Sequence, residues 1–275
     1  MISQKNIDDA VARSLAEDIG AGDITAKLIA ENTFAHAYVM TREDAIICGQ
    51  AWFEATFNQI DPTITIKWHA KEGERVAANS KIVSLEGPAR AILTGERSAL
   101  NWLQTLSGTA TTVAQYVAKL AGSKTQLLDT RKTLPGLRDA QKYAVKVGGG
   151  TNHRHGLYDM YLIKENHILS CGSITKAVET AKAQHSDKKI EVEVENLTQL
   201  AEAIAAKADI VMLDNFDLAG MQQAVKLTDS RVKLEVSGNV SLENMAAIAK
   251  TGVDFISVGA ITKHLHAIDL SMRFI

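Results

Sequence analysis

From about Thr125 the sequence alternates short apolar runs with helix-like stretches, and this rhythm limits the fold more than any other feature. The runs are Gln126–Leu128, Met160–Ile163, Ile190–Val194, Ile210–Leu213, Val232–Val236 and Phe255–Val258. Most are followed by a segment with helical apolar spacing, as in Ile174–Ala183, Leu197–Ala206, Leu218–Val225 and Leu242–Lys250. Strands too short to bury a face alone, alternating with helices, are how a parallel sheet with helical crossovers reads. The short, similar repeat favours closure into a barrel over an open sheet. Six runs are counted, so a seventh or eighth strand must come from weaker segments, and a barrel of fewer than eight is open.

Upstream the pattern differs. Ile7, Val11, Leu15 and Ile19 fall at helical spacing, and Gly20-Ala21-Gly22 ends that helix. Between Phe34 and Leu85 come the β-branched runs Ala35–Met40, Ala45–Cys48, Thr63–Trp68 and Lys81–Leu85. The turn signals Asp61-Pro62, Lys71–Glu74 and Asn79-Ser80 separate them, which predicts a small, mostly antiparallel sheet. Gly95–Leu120 reads as helical, with Gly108 as a possible break.

A chain of 275 residues suits one barrel or two ordinary domains. Thirty basic against 32 acidic side chains leave a net charge of −2, so no global field draws nucleic acid or an anionic membrane, and an anion site must be local. Cys48 and Cys171 lack metal or disulfide spacing and read as buried, reduced thiols. Met1–Ala10 has no apolar core after a basic start, and Ala203–Leu213 is broken by Lys207 and Asp209. Neither a signal peptide nor a membrane span is expected, and the location expected is cytoplasmic.

Catalytic side chains of α/β barrels sit at the C-terminal ends of the strands. Those positions here hold Asp129, Thr130, Arg131 and Lys132, then Lys164, Glu165 and Asn166, then Glu193 and Glu195. Asp214-Asn215, Ser237-Gly238-Asn239 and Gly259-Ala260 follow. One set is cationic: Arg131, Lys132, Arg138, His153, Arg154 and Lys164 fit a ligand with several negative charges, arginine as a two-pronged donor and lysine as a mobile charge. The other is acidic: Glu193 and Asp214 fit a shared divalent cation or a developing positive centre.

Plainer readings stand beside these. Lys142 and Lys146 repeat at helical spacing and read as a solvated helix face. Gly148-Gly149-Gly150 reads as a helix end, with a phosphate loop as the alternative. His153 and His155 have no third His or Cys at zinc spacing, which argues against a metal role. Glu191, Glu193 and Glu195 point one way on a strand, which leaves room for one of them to be purely structural. Ser237-Gly238-Asn239 and Gly259-Ala260 suit phosphate cradles at the last two strands, or ordinary turns.

Asp129-Thr-Arg-Lys-Thr-Leu-Pro-Gly-Leu-Arg138, Gln141 to Leu157 and Leu162-Ile-Lys-Glu-Asn-His167 closely resemble the quinolinate phosphoribosyltransferases. The likeness extends to Gly22–Thr25, Gly95–Asn101, Glu191–Glu195, Leu213–Asn215 and Glu235–Asn239, nearly the whole chain. It implies a type II phosphoribosyltransferase: an N-terminal α/β sandwich domain over 1–110, joined by the tail 265–275, and an incomplete, about seven-stranded α/β barrel over 111–264. It implies formation of nicotinate mononucleotide, pyrophosphate and carbon dioxide from quinolinate and phosphoribosyl pyrophosphate with Mg2+, in NAD biosynthesis. Arg131, His153, Arg154 and Lys164 would hold the two carboxylates beside Thr130, and Lys132 would stand near the reacting centre. Arg97 would enter the neighbouring subunit's site in a homodimer, with a hexamer left open. Glu193 and Asp214 would serve ribose hydroxyls and metal, and Ser237, Gly238, Asn239, Gly259 and Ala260 the 5′-phosphate. His155 receives no role. The alternatives are a related enzyme acting on nicotinate or another ring acid, a Schiff-base aldolase using Lys132 or Lys164, and a non-catalytic carrier or scaffold.

Overall fold

The computed structural model describes residues 2–275. The chain divides into two compact units, one of Met1–Ala114, Asp139–Gly149 and His264–Ile275, the other of Gln115–Arg138 and Gly150–Lys263. In chain order the elements begin with α1 (Gln4–Ile19), β1 (Phe34–Thr41), β2 (Ala45–Ile46), α2 (Gln50–Ile60), β3 (Thr65–Trp68), β4 (Arg75–Val76), β5 (Lys81–Pro88) and α3 (Ala89–Ala118). They continue with β6 (Gln126–Leu128), α4 (Arg138–Val147), β7 (Tyr161–Ile163), α5 (Glu165–Cys171), α6 (Ile174–Gln184), β8 (Ile190–Val194) and α7 (Leu197–Ala205). The last are β9 (Ile210–Asp214), α8 (Leu218–Thr228), β10 (Lys233–Ser237), α9 (Met245–Ala249), β11 (Phe255–Ser257), α10 (Ala260–Lys263) and β12 (Leu270–Phe274).

The first unit is built on an antiparallel sheet ordered β12-β1-β5-β3, with β2 and β4 as a separate short ladder. Its core gathers Phe53, Phe57, Leu85, Ile92, Leu100 and Leu103, all fully or almost fully buried. Helix α1 buries Ile7, Val11 and Leu15, the stripe its spacing predicts, and Ser3 caps it by accepting from the Asn6 N–H. The chain's last strand pairs with β1 in the register Thr41↔Leu270 to Ala37↔Phe274, which holds the C-terminal tail in this unit.

Three expectations fail here, two of them for identifiable reasons. Helix α3 runs 30 residues straight through Gly108. A Cβ at Gly108 would lie 2.0 Å from the His266 carbonyl oxygen, so the glycine serves close approach of the tail and not a break. Lys142 on α4 is 2% exposed and therefore no solvated face, whereas Lys146 is exposed. Residues 139–149 belong with the first unit, and Tyr143 on the same helix packs against Trp52 at 5.3 Å. Gly149, at φ 91, ends the helix as predicted. Cys48 is buried as expected, but Cys171 ends the short α5 and is exposed.

The second unit is a parallel sheet ordered β6-β11-β10-β9-β8-β7. Its first and last strands pair, as closure into a barrel requires: Phe255↔Gln126, Ile256↔Leu127, Ser257↔Leu128. Between β6 and β7 the wall shrinks to a single bridge, Leu128↔Thr151, where a seventh strand would lie. The barrel is thus incomplete, with six strands and one bridging residue. Three crossover helices start on the cap their sequence supplies. Ser173 accepts from the Lys176 N–H, Asn196 from the Gln199 N–H and Asp217 from the Gly220 N–H, and each cap closely follows an element end. Such short links fix where each strand's last side chains point.

Candidate active site

The strand-end residues converge on a cavity of about 220 Å³ in the second unit, lined among others by Thr130, Arg131, Lys132, His153, Arg154 and Lys164. Glu193, Glu235 and Ser237 complete its wall. A wider cavity of about 530 Å³ shares Arg131, Arg154, Leu162 and Lys164 with it. Register explains the convergence. Glu193 pairs with Met212 and Met212 with Glu235, so the three stand abreast on one side of the pleat, and Asp214 and Ser237 stand abreast two residues further on.

The cationic wall is under strain of charge. Burial first, and the Arg131 charge second, hold the Arg154 guanidinium below its ordinary value, while Glu191 and Asp159 oppose them. The Arg131 Nε is buried without a hydrogen-bond partner, as expected of a donor shaped for a ligand. The Lys132 N–H donates to Thr130 Oγ1 at 3.0 Å, and its carbonyl accepts from Thr262 Oγ1 at 2.7 Å. A Cβ at Gly259 would come within 2.8 Å of Lys132 Cδ, so that glycine gives the lysine stem room.

Opposite lie the acids. Lys164 Nζ meets Glu193 Oε2 at 2.8 Å. Burial first, then the Glu193 charge, push the Asp214 carboxyl up, while Lys164 and Lys132 pull it down. An acid raised by a neighbouring acid is one that a divalent cation would relieve. Two carboxylates, leaving further positions for phosphate oxygens and water, suit Mg2+ in kind and number. Above them Gly238 has φ 90, and a Cβ there would lie 2.3 Å from Asn215 Oδ1. Asn215 and Asn239 also take positive φ, 55 and 50, and the Asn239 amide donates to Asn215 Oδ1 at 3.2 Å. This tight cluster turns the chain sharply just past β9 and β10. Gly259-Ala260 opens α10 just past β11.

Beneath the cavity is a group that chain spacing does not show. His153 Nε2 lies 2.8 Å from Glu191 Oε2 and 3.3 Å from Glu235 Oε2, and both acids are wholly buried. Three of their oxygens, Glu191 Oε1 and both of Glu235, lack a hydrogen-bond partner. The two acids push the ring's pKa up to about 10 against the opposing pull of burial, and burial followed by the Glu235 charge raises Glu191 to about 7. Both shifts mean that the cluster keeps a proton at neutral pH which isolated groups would lose. On the ring's other edge the Arg154 backbone nitrogen lies 2.7 Å from His153 Nδ1. The three residues have the donor set of a metal site, but the two acids favour the protonated ring, and an Nε2 that carries hydrogen is not a ligand. A substrate carboxylate at His153 would have to displace one of its ring partners.

The loops are fixed from below and from the side. Asp129, fully buried, accepts from the His153 N–H at 2.8 Å and from Asn152 Nδ2 at 2.6 Å. Asp159 accepts from the N–H groups of His155 and Gly156. Arg97 lies exposed on α3 of the first unit. Sequence reasoning missed Glu235 and left Glu191 undecided. The only signal was the alternation in Ile190-Glu-Val-Glu-Val194, which turns Glu191 to the same side as Glu193.

An incomplete parallel barrel whose strand ends set arginines and lysines against an acid pair defines a barrel enzyme for a polyanionic ligand. The quinolinate phosphoribosyl transferase N-terminal domain matches residues 23–107, and the C-terminal domain of the same family matches 109–273. The chain belongs to the quinolinate phosphoribosyl transferase family and is a phosphoribosyltransferase. It is 42% identical over 257 residues to a probable carboxylating nicotinate-nucleotide pyrophosphorylase of Bacillus subtilis, covering 93% of this chain and 89% of that protein. The solved nicotinate-nucleotide pyrophosphorylase of Francisella tularensis is similar at 53% identity and TM-score 0.98, over 100% of this chain and 98% of that one. The one from Ehrlichia chaffeensis is similar at 37% identity and TM-score 0.93, over 97% and 98%.

Proposed function

We infer that this chain is a decarboxylating quinolinate phosphoribosyltransferase of NAD biosynthesis. It joins the ring nitrogen of quinolinate to the anomeric carbon of phosphoribosyl pyrophosphate, giving nicotinate mononucleotide, pyrophosphate and CO2. The observation that carries this reading is the paired Arg131 and Arg154, with Lys164, sharing one small cavity with Glu193, whose charge and those of Lys164 and Lys132 also reach Asp214.

Arg131, Arg154 and Lys164 hold the two carboxylates and replace the water these lose, while Thr130 and His153 line the wall. That fixes the ring nitrogen toward the sugar, and positioning accounts for much of the rate. Lys132 reaches from the end of β6 toward the reacting centre. As pyrophosphate departs, the sugar gains oxocarbenium character, which the carboxylates of Glu193 and Asp214 stabilise as they hold the ribose hydroxyls. Glu193 and Asp214 would also hold Mg2+, which would supply charge neutralisation for the leaving pyrophosphate. Ser237, Gly238 and Asn239, with Gly259 and Ala260, take the 5′-phosphate on backbone N–H groups. The carbon–carboxylate bond beside the ribosylated nitrogen then breaks. Its electron pair stays on the ring carbon next to the positive nitrogen until a proton replaces CO2.

A homodimer with Arg97 of one protomer in its partner's site completes the proposal, supported by the exposure of Arg97, Leu157 and Tyr158. Among the described residues no helix is long and apolar enough to cross a membrane. A cytoplasmic location is proposed, in keeping with two free cysteines. Purified protein given phosphoribosyl pyrophosphate, Mg2+ and either quinolinate or nicotinate tests the reading. Product from quinolinate is expected, and turnover of nicotinate alone overturns the assignment.

A further inference from the structure

Arg138 was one of six cations grouped by sequence as ligands for an anion, yet its guanidinium is committed elsewhere. Nη1 donates to the His155 carbonyl at 3.2 Å, Nη2 to the Arg131 carbonyl at 3.4 Å, and Nε to Thr133 Oγ1 at 3.3 Å. Every nitrogen of this half-buried group has a protein acceptor, and the acceptors lie on two different loops. One loop leaves β6 and carries Arg131. The other follows the bridge residue Thr151 and carries Arg154.

Asp129 already ties the two loops at their base, through the His153 N–H and the Asn152 amide. Arg138 ties them a second time, at Arg131 itself and at the residue after Arg154. The two substrate arginines therefore stand between two cross-links. Bracing matters there because burial and the Arg131 charge disfavour the Arg154 guanidinium more than Glu191 and Asp159 favour it, and the buried Arg131 Nε has no protein acceptor to hold it. A lysine in place of Arg138 would keep the charge but could reach only one of the three acceptors, since its donors radiate from a single atom while guanidinium spreads them over a rigid plane.

We propose that Arg138 is a specificity-determining positioning residue: by joining the Arg131 and Arg154 loops it sets the arginine spacing at which the pocket takes two adjacent carboxylates instead of one. This rests on the function proposed above and deepens it. A monocarboxylate can be held by either guanidinium wherever its loop drifts. An ortho-dicarboxylate needs both at once, so a loosened pocket loses the second contact and the preference with it.

The test is calorimetric binding of phthalate and of benzoate, without phosphoribosyl pyrophosphate, to the full-length wild type, Arg138→Lys and Arg138→Ala. Phthalate carries the two adjacent carboxylates without the reacting nitrogen. In both variants its Kd should rise about tenfold, the scale of one lost charged contact. Benzoate binding should stay within about twofold, and KM for phosphoribosyl pyrophosphate should be unchanged, as expected when only the second carboxylate's contact is lost. Wild-type phthalate affinity in Arg138→Lys would mean that charge matters and bracing does not. An equal loss for both acids would mean general damage to the pocket. Either result overturns the inference. Should the Arg138 variants fail to fold, Thr133→Val removes one acceptor, and an unchanged phthalate-to-benzoate ratio there overturns it as well. A wild type that neither binds phthalate nor turns over quinolinate would instead refute the underlying function.

Discussion

Replacing Glu191 by Gln should flatten the protein's loss of stability at rising pH. Glu191 is fully buried, and its folded pKa is raised from the ordinary 4.5 to about 7. The folded state thus keeps a proton that the unfolded chain has released, and stability falls as pH climbs from 4.5 through 7. The ring of His153 acts in the same direction. Its folded pKa of about 10 exceeds the ordinary 6.5, so its contribution is complete below 6.5 and is lost as pH rises toward 10. At 1.36 kcal/mol per pH unit per proton, the Glu191 interval allows at most about 3 kcal/mol. Glutamine cannot ionise, and it also leaves the ring with one acid partner instead of two. Urea unfolding of wild type and Glu191→Gln at pH 5, 6, 7 and 8 gives the comparison, because groups titrating alike in both proteins cancel in the difference. The wild type should lose on the order of 1–3 kcal/mol relative to the variant between the first pH and the last. Parallel curves would show that the carboxyl pair holds no extra proton in the folded state.

Two further outcomes follow from geometry. Gly108→Ala should lower the melting temperature, an overpacking cost of about 1–3 kcal/mol, although alanine in a helix interior usually stabilises; a melting temperature that is unchanged or higher would show that the tail yields to the new methyl at no cost. Arg97→Ala and Lys132→Ala should each abolish turnover while remaining folded. Mixed after subunit exchange they should recover about a quarter of the wild-type sites, the statistical share for random pairing in a two-fold dimer. No recovery in the turnover assay would argue against a shared site.

The parts of this molecule that sequence reveals are those whose cause is local. Apolar runs located all six barrel strands to within about a residue or two at their ends, the usual fraying of such assignments. Strand-end position also picks out Arg131, Lys164, Glu193 and Ser237, which share one cavity wall, because a parallel barrel leaves a polar side chain few other places to converge. What stayed hidden depends on partners distant in sequence. Glu235 reads as one acid in a strand until β10 is set beside β9 and β8, and only the resulting register puts it under His153. Lys142 follows helical spacing perfectly well, but spacing does not say which face of α4 is covered. Arg138 carries the same charge as Arg131 and Arg154, and only the direction of its hydrogen bonds separates a brace from a ligand. Gly108 looked like a helix breaker because the carbonyl it makes room for comes from a tail more than 150 residues later.

The single bridge at Thr151 has a consequence for how a flat ring reaches the site. A complete barrel is a cylinder open only at its rim, so its ligand must enter along the axis. Here the wall beside β6 is one residue deep, and the stretch from Asn152 to Asp159 hangs as loop where a strand would stand. A missing strand widens the spacing between its neighbours to about 10 Å, roughly twice the normal interval. The larger cavity, with Leu157, Tyr158 and Leu162 on its lining, lies on this side. The gap in the wall thus lies beside Arg154, on the side of the larger cavity, whose lining does not include Asp214 or Gly238.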